Sequence, residues 1–285
     1  MDPTRCWRRL APAFALAALV AAAPAVAQDN RPAPAAGRQG YSIFRETLVD
    51  MPWPEVQKVA EAGALVLLPV GVIEEHGPHM GLGADTYLAY HSCAGLKRRL
   101  ADRGVPAVVV PPVYWGVMQL EETGRYPGSF TVRASTMQAL LYDVLADLQR
   151  WGFRNVFLVN YHGDRVHLGV VAQVTARARD SLGLRFFDAR RDGGLRPNVP
   201  RYLGQKPAFR PDYHAGMRET AEMVAFFPEE VDVRLAATLP PENGFHPRGY
   251  AGDPANHVNY NGRSLEADLD ALADALAAWV KKGAS

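Results

Sequence analysis

An α/β/α sandwich with a mostly parallel central sheet is the fold class this sequence predicts, and three observations lead to it. Apolar runs of strand type alternate along the chain with longer helical stretches. The strand runs are apolar throughout rather than alternating, as expected when helices cover both faces of a parallel sheet. The helical stretches close on Gly104, Gly152 and Gly183, residues that tolerate the left-handed turn ending a helix.

Taken in order, residues 64–70 read as the first strand and 85–103 as a helix. Residues 107–113 form a second strand, 134–151 a long helix and 155–159 a third strand. A helix over 166–182 follows, then a fourth strand over 184–188 and a short helix over 219–226. The terminal helix, 264–281, is amphipathic, with Leu265, Leu269, Leu272, Leu276 and Trp279 on one face. Trp53, Trp115 and Trp151 stand in apolar or turn contexts and read as core. No internal repeat is evident.

The front of the chain reads as a targeting segment. Arg5, Arg8 and Arg9 precede an alanine-rich apolar stretch, residues 10–26, broken by Pro12 and Pro24. That stretch is short for a membrane span. Ala25-Val26-Ala27 is a small-x-small cleavage site, so residues 1–27 read as a signal peptide and Gln28 as the mature N-terminus. The expected location is the periplasm or the medium, with no membrane contact after cleavage. Arg8-Arg9 hints at the twin-arginine route. Residues 28–40 have linker composition, and 41–285 suit one domain.

Thirty-one basic residues balance 30 acidic ones, giving a net charge of +1, and no basic run occurs. Nucleic acid is therefore not an expected partner. Only Cys6 and Cys93 are present, and Cys6 leaves with the signal peptide, so the mature chain has no internal disulfide. Cys93 sits in a helical pattern as a small core residue.

Two strand-type runs end in matching polar clusters. The first leads into Glu74-Glu75-His76-Gly77-Pro78-His79 and then Asp85; the second leads into Asn160-Tyr161-His162-Gly163-Asp164. Each pairs an imidazole with a carboxylate two residues away, and in extended backbone such residues project to one side. Both clusters lie beyond the carboxyl ends of strands, where sites form in open α/β sheets. Imidazole with carboxylate suits zinc, manganese and similar ions, and Asp85 adds a carboxylate able to bridge two of them. Two residues carry a second reading: Asp85 and Asp164 each stand where aspartate caps a helix. His79 reads as a hydrogen-bonding neighbour of the ligands, and His91, His167, His246 and His257 as surface or structural.

These residues resemble the creatininase (creatinine amidohydrolase) family. The resemblance runs from Leu68-Pro69-Val70-Gly71 through the Glu74 to Met80 segment and Asp85, to Tyr126-Pro127-Gly128-Ser129-Phe130-Thr131 and Asn160-Tyr161-His162-Gly163-Asp164. It continues at Asp212 to Thr220 and at Gly249-Tyr250-Ala251-Gly252-Asp253-Pro254, in family order. It implies an α/β/α fold, a homo-oligomer, often a hexamer, and two divalent metals, zinc or manganese, that hydrolyse a C–N bond in a small amide. By that resemblance Glu74 and His162 hold one metal, His76 the other, and Asp85 bridges them. Asp164 stands where creatininase has glutamate, and Glu219 matches the replacement carboxylate of other relatives; either or both would complete the second site. His214 matches the family's catalytic acid/base. Glu75 replaces a usual glutamine, and residues 207–211 lack creatininase's substrate tryptophan, which argues against creatinine itself. The bond could lie in a cyclic amide, a formamide or a peptide. The other reading is a metal-bearing protein that binds a small ligand without turnover.

Overall fold

The structure, a computed structural model, describes residues 45–118, 125–189, 191–192 and 214–283. Residues 1–27 and 28–40, read above as signal peptide and linker, lie outside the described residues, as do residues 207–211 and Asp212-Tyr213.

Four parallel strands form the sheet, in the order β2-β1-β3-β4. They are β1 (Leu65–Val70), β2 (Ala107–Val109), β3 (Asn155–Asn160) and β4 (Arg185–Phe186). The longer helices are α1 (Trp53–Glu61), α2 (Ala84–Asp102), α3 (Ala134–Arg150), α4 (Arg165–Leu182), α5 (Met217–Phe226) and α6 (Ser264–Lys282), with one short turn of helix over Val233–Ala236. A separate antiparallel hairpin joins β5 (Glu242–His246) and β6 (Tyr250–Gly252).

Strand β1 is buried on both sides, and its residues divide between two cores by their alternation. Val66, Leu68 and Val70 pack with Met137, Leu141, Leu145 and Leu148 of α3 and Val170 and Val174 of α4. Leu65 and Leu67 pack with Cys93, Leu96 and Leu100 of α2 and Leu269 and Leu276 of α6. Each central side chain so buried contributes about 1.5–3 kcal/mol. The layers are thus α1/α3/α4, sheet, α2/α6, the sandwich the sequence predicts.

Three differences from the sequence reading have local causes. Strand β2 stops at Val109, with one further bridge from Val113 to Val70, because Pro111 and Pro112 lack the N–H a ladder needs. Strand β4 keeps two residues, since as an edge strand it pairs only with Asn155 and Val156. The tryptophans are not core: Trp53 is 75% exposed, Trp151 50% and Trp115 39%. All three line a groove of about 1090 Å³ with Leu48, Val49 and Leu140. Helix α1 and the β5-β6 hairpin were not read from the sequence; the hairpin's Glu-Asn-Gly-Phe-His strand carries no apolar alternation. Among the described residues no helix is long and apolar enough to cross a membrane.

Candidate metal centre

Glu74, His76, Asp85 and His162 meet beyond the carboxyl ends of β1 and β3. Gly71 makes the approach possible: a Cβ there would lie 2.9 Å from the Thr86 amide and 3.1 Å from the Asp85 Cβ. The missing side chain lets the first turn of α2 sit on the end of β1. Asp85 does not cap α2, whose N-cap is Gly83; it lies inside the first turn, 4% exposed, and points at the histidines.

Distances define two overlapping groups. His162 Nδ1 is 3.0 Å from Glu74 Oε2 and 3.2 Å from Asp85 Oδ2. His76 Nε2 is 3.4 Å from Asp85 Oδ1. Ligand-type atoms of Glu74, Asp85 and His162 lie within 4.8 Å of one another, and so do those of Glu74, His76 and His214. Backbone carbonyls fix each ring. His162 Nε2 donates to the Val117 carbonyl (3.2 Å), and His76 Nδ1 donates to the Glu74 carbonyl (3.1 Å). The nitrogen left bare on each neutral ring is the one facing the carboxylates. The ligand segment is held in turn by Glu74 N donating to Leu82 O (3.0 Å) and Glu75 N donating to Ser129 Oγ (2.9 Å). The latter bond is what the Tyr126 to Thr131 turn brings to the site; the sequence reads that stretch as a turn bringing backbone near the site, and the contact it makes is through the Ser129 side chain.

His214 stands over His76, ring centroids 4.7 Å apart. Its backbone pairs with Ala251 of β6, where Ala251 N donates to His214 O at 2.7 Å. Its Nε2 donates to the Glu75 carbonyl (2.8 Å), with Glu75 Oε2 at 3.4 Å. Burial lowers the pKa of His214, but the hydrogen bond to Glu75 together with the charges of Glu74 and Glu219 outweighs it, and the net shift is upward.

Asp164 and Glu219 do not join either group. Asp164 Oδ1 accepts from Val166 N (2.8 Å) and His167 N (2.9 Å), so the side chain is the N-cap of α4. Glu219 is buried, but Oε2 accepts from Ala215 N (2.7 Å) and Oε1 from Arg218 (2.8 Å). That bond holds Ala215 in the left-handed conformation (φ 47°) immediately after His214. His79 donates or accepts at Thr220 Oγ1 (2.9 Å) and touches no ligand directly. His91 meets Glu266, His246 stacks on Tyr250, and His257 bonds the Pro254 carbonyl. His167 is fully buried beside His162.

The donor set fits divalent cations. It is imidazole and carboxylate without thiolate. Asp85 Oδ2 is buried and, although 3.2 Å from His162 Nδ1, has no hydrogen-bond partner among the described residues. Glu74, Glu75, Asp85 and Glu219 all lie under 10% exposed within one neighbourhood, an excess of buried negative charge. Without a metal, protons take up that charge. Burial opposes protonation of His76, but Asp85, with Glu219 and Glu74, pushes its pKa up to about 10. Burial likewise opposes protonation of His162, and Asp85 and Glu74 push it up to about 11.

A pH dependence follows. From the ordinary histidine value of 6.5 up to about 10, the folded metal-free chain binds more protons than the unfolded one. This contribution to stability is therefore complete below pH about 6.5 and declines as pH rises toward 10. A metal displaces the same protons, so its stabilisation grows with pH. The gap in Tm between zinc-loaded and chelator-treated protein is expected to widen from pH about 6.5 to about 8.5. A gap that narrows over that range would contradict the proton count.

A family model described as creatinine amidohydrolase (Creatininase) matches residues 49–284. A creatinine amidohydrolase of Pseudomonas putida is 27% identical over 207 residues, 67% of this chain and 76% of that protein. A mycofactocin precursor peptide peptidase of Mycolicibacterium smegmatis is 28% identical over 233 residues, 75% of this chain and 85% of that protein. A solved creatininase variant in a zinc–zinc form shares the fold, with a TM-score of 0.59 at 21% identity over 83% of this chain and 97% of that one. With the family model spanning nearly all of the domain, this chain belongs to the creatininase family.

Proposed function

We propose that this chain is an exported, divalent-metal-dependent amidohydrolase that cleaves a C–N bond in a small amide, cyclic or peptide-like. The observation that carries the reading is the convergence of Glu74, His76, Asp85 and His162 at the ends of β1 and β3. Glu74, Asp85 and His162 would hold one cation, and His76 with Asp85 the other, zinc or manganese by donor chemistry. Paired cations supply a water that ionises near neutral pH and polarisation of the scissile carbonyl. His214 then has a defined task. Its Nε2–H is committed to the Glu75 carbonyl, so a second proton, when the ring takes one up, sits on Nδ1, and the Glu75 carboxylate favours that uptake. Giving it to the departing nitrogen makes the amine a competent leaving group. The relatives named above act on creatinine and on a precursor peptide, which supports an amide as the bond class without fixing the substrate.

The test is a screen of the zinc- or manganese-loaded mature protein against cyclic amides, formamides and short peptides, with metal content measured in parallel. About two metals per chain and turnover of one class are expected. Two metals with tight binding and no turnover would favour the binding-protein reading, and no metal uptake would end the metal reading. Export is proposed on the basic Arg5, Arg8 and Arg9, the apolar stretch 10–26 and the Ala25-Val26-Ala27 site, and mature protein beginning at Gln28 is its readout. Self-association is proposed on the exposed Trp53, Trp115 and Trp151 groove and is read by light scattering.

A further inference from the structure

We propose that Asp164, His167 and Asn160 form a positioning chain that aims His162 Nδ1 at the cation site, with His167 as its anchor. The inference rests on the metal-centre reading above. It gives Asp164 a role other than ligation.

The chain starts at the cap. Asp164 Oδ1 accepts the amides of Val166 and His167, which fixes His167 as the third residue of α4 and turns its side chain inward. The His167 ring is fully buried, and its Nε2 donates to Asn160 Oδ1 at 2.9 Å. That bond orients the Asn160 amide so that its Nδ2 donates to the His162 carbonyl at 2.6 Å. His167 also meets the His162 ring edge to face, centroids 4.9 Å apart at 82°. On its other side the ring fills the space above Gly116, where a Cβ would lie 2.6 Å from His167 Nδ1 and Cε1. The next residue, Val117, supplies the carbonyl that takes the His162 Nε2–H. Backbone and ring of His162 are thus both referenced to His167.

A filler role does not account for the imidazole. His167 Nδ1 is buried with no hydrogen-bond partner among the described residues, a desolvation cost that an apolar side chain of similar volume avoids. The bond to Asn160 is the polar contact that offsets it. Groups that orient metal ligands in this way set affinity, and losing one weakens metal binding by about 10–100-fold.

The test uses the full chain, stripped with chelator and titrated with Zn²⁺ against a chromophoric competitor. His167→Leu and Asn160→Leu are each expected to weaken one zinc by about 10–100-fold while the other zinc is retained. The double variant should lose no more than either single one, because both act through one chain. His167→Gln, whose amide N–H can reach Asn160, should recover most of the affinity. Asp164→Asn, which caps a helix as well as aspartate, should keep both zincs. The Leu and Gln variants separate positioning from folding, since a packing defect is not rescued by a polar residue. Wild-type affinity in both Leu variants, or His167→Gln as weak as His167→Leu, would overturn the proposal. Loss of zinc in Asp164→Asn would make Asp164 a ligand and overturn the cap as the start of the chain. A wild-type protein that takes up no zinc would overturn the metal reading and this inference together.

Discussion

Asp85→Asn is expected to reduce bound zinc from about two per chain to less than about one half, and to remove hydrolysis with it. Asp85 is the carboxylate that stands within 3.4 Å of His76 and 3.2 Å of His162, so both proposed cation positions would draw on it. The replacement keeps shape and volume but removes the charge from a site with almost no solvent, where a cation needs a neutralising partner. The variant should still fold. In the metal-free chain the same carboxylate raises the pKa of both histidines, and with an amide in its place they can stay neutral at moderate pH. Zinc by inductively coupled plasma mass spectrometry after dialysis, with circular dichroism as the folding control, reads the result. Full zinc retention in a folded Asp85→Asn would rule out a shared carboxylate and leave two independent sites, or none.

His214→Ala should behave oppositely: zinc content unchanged, and kcat lower by about 10²–10⁴-fold on whichever substrate the screen identifies. The side chain sits against His76, yet its Nε2 is spent on the Glu75 carbonyl, and hairpin β5-β6 holds its backbone. That anchoring, with Nε2 fixed, suits the proposed proton donor. KM should change little, because the proton transfer matters in the transition state rather than in binding. The Glu74, His76 and His214 grouping makes the discriminating outcome clear. If zinc falls by one equivalent in His214→Ala, His214 is a ligand of the second cation and the proton must come from elsewhere.

The same residues show how far the sequence reaches. Glu74, His76 and His162 are legible because a strand-type run fixes side-chain direction with a period of two, and the polar residues that follow inherit it. Asp164 is not legible in the same way. A carboxylate between a strand and a helix satisfies the demands of a ligand and of an N-cap equally, and one sequence carries both readings. Its backbone (φ −60°, ψ 136°) and the two amides it accepts from decide for the cap. His167 looked structural, and it is, but its link to His162 passes through Asn160 and cannot be seen from spacing alone. A signal was present: an aspartate cap three residues ahead places His167 on the first turn of α4, close to the strand end that carries His162. The tryptophans failed for another reason. Apolar character sets the tendency to be buried, not whether this one chain supplies the surface that buries them.

By itself, then, the sequence determined the features whose cause is local. These are the alternation of strands and helices, the two-faced burial of β1, and the family to which the motifs belong; the end of β2 at Val109, short of the 107–113 expected, was not among them. Tertiary structure decided what depends on distance between remote segments. It set Asp85 against residues from both strands through the opening at Gly71, and Ser129 under the ligand segment 54 residues away. It brought His214 to the carbonyl of a residue 139 positions earlier and spent Asp164 and Glu219 on helix ends. The physical reason is that local hydrogen bonding and hydrophobic period specify which way a side chain points, whereas reach is fixed only when packed layers set the separation of the backbones that carry it.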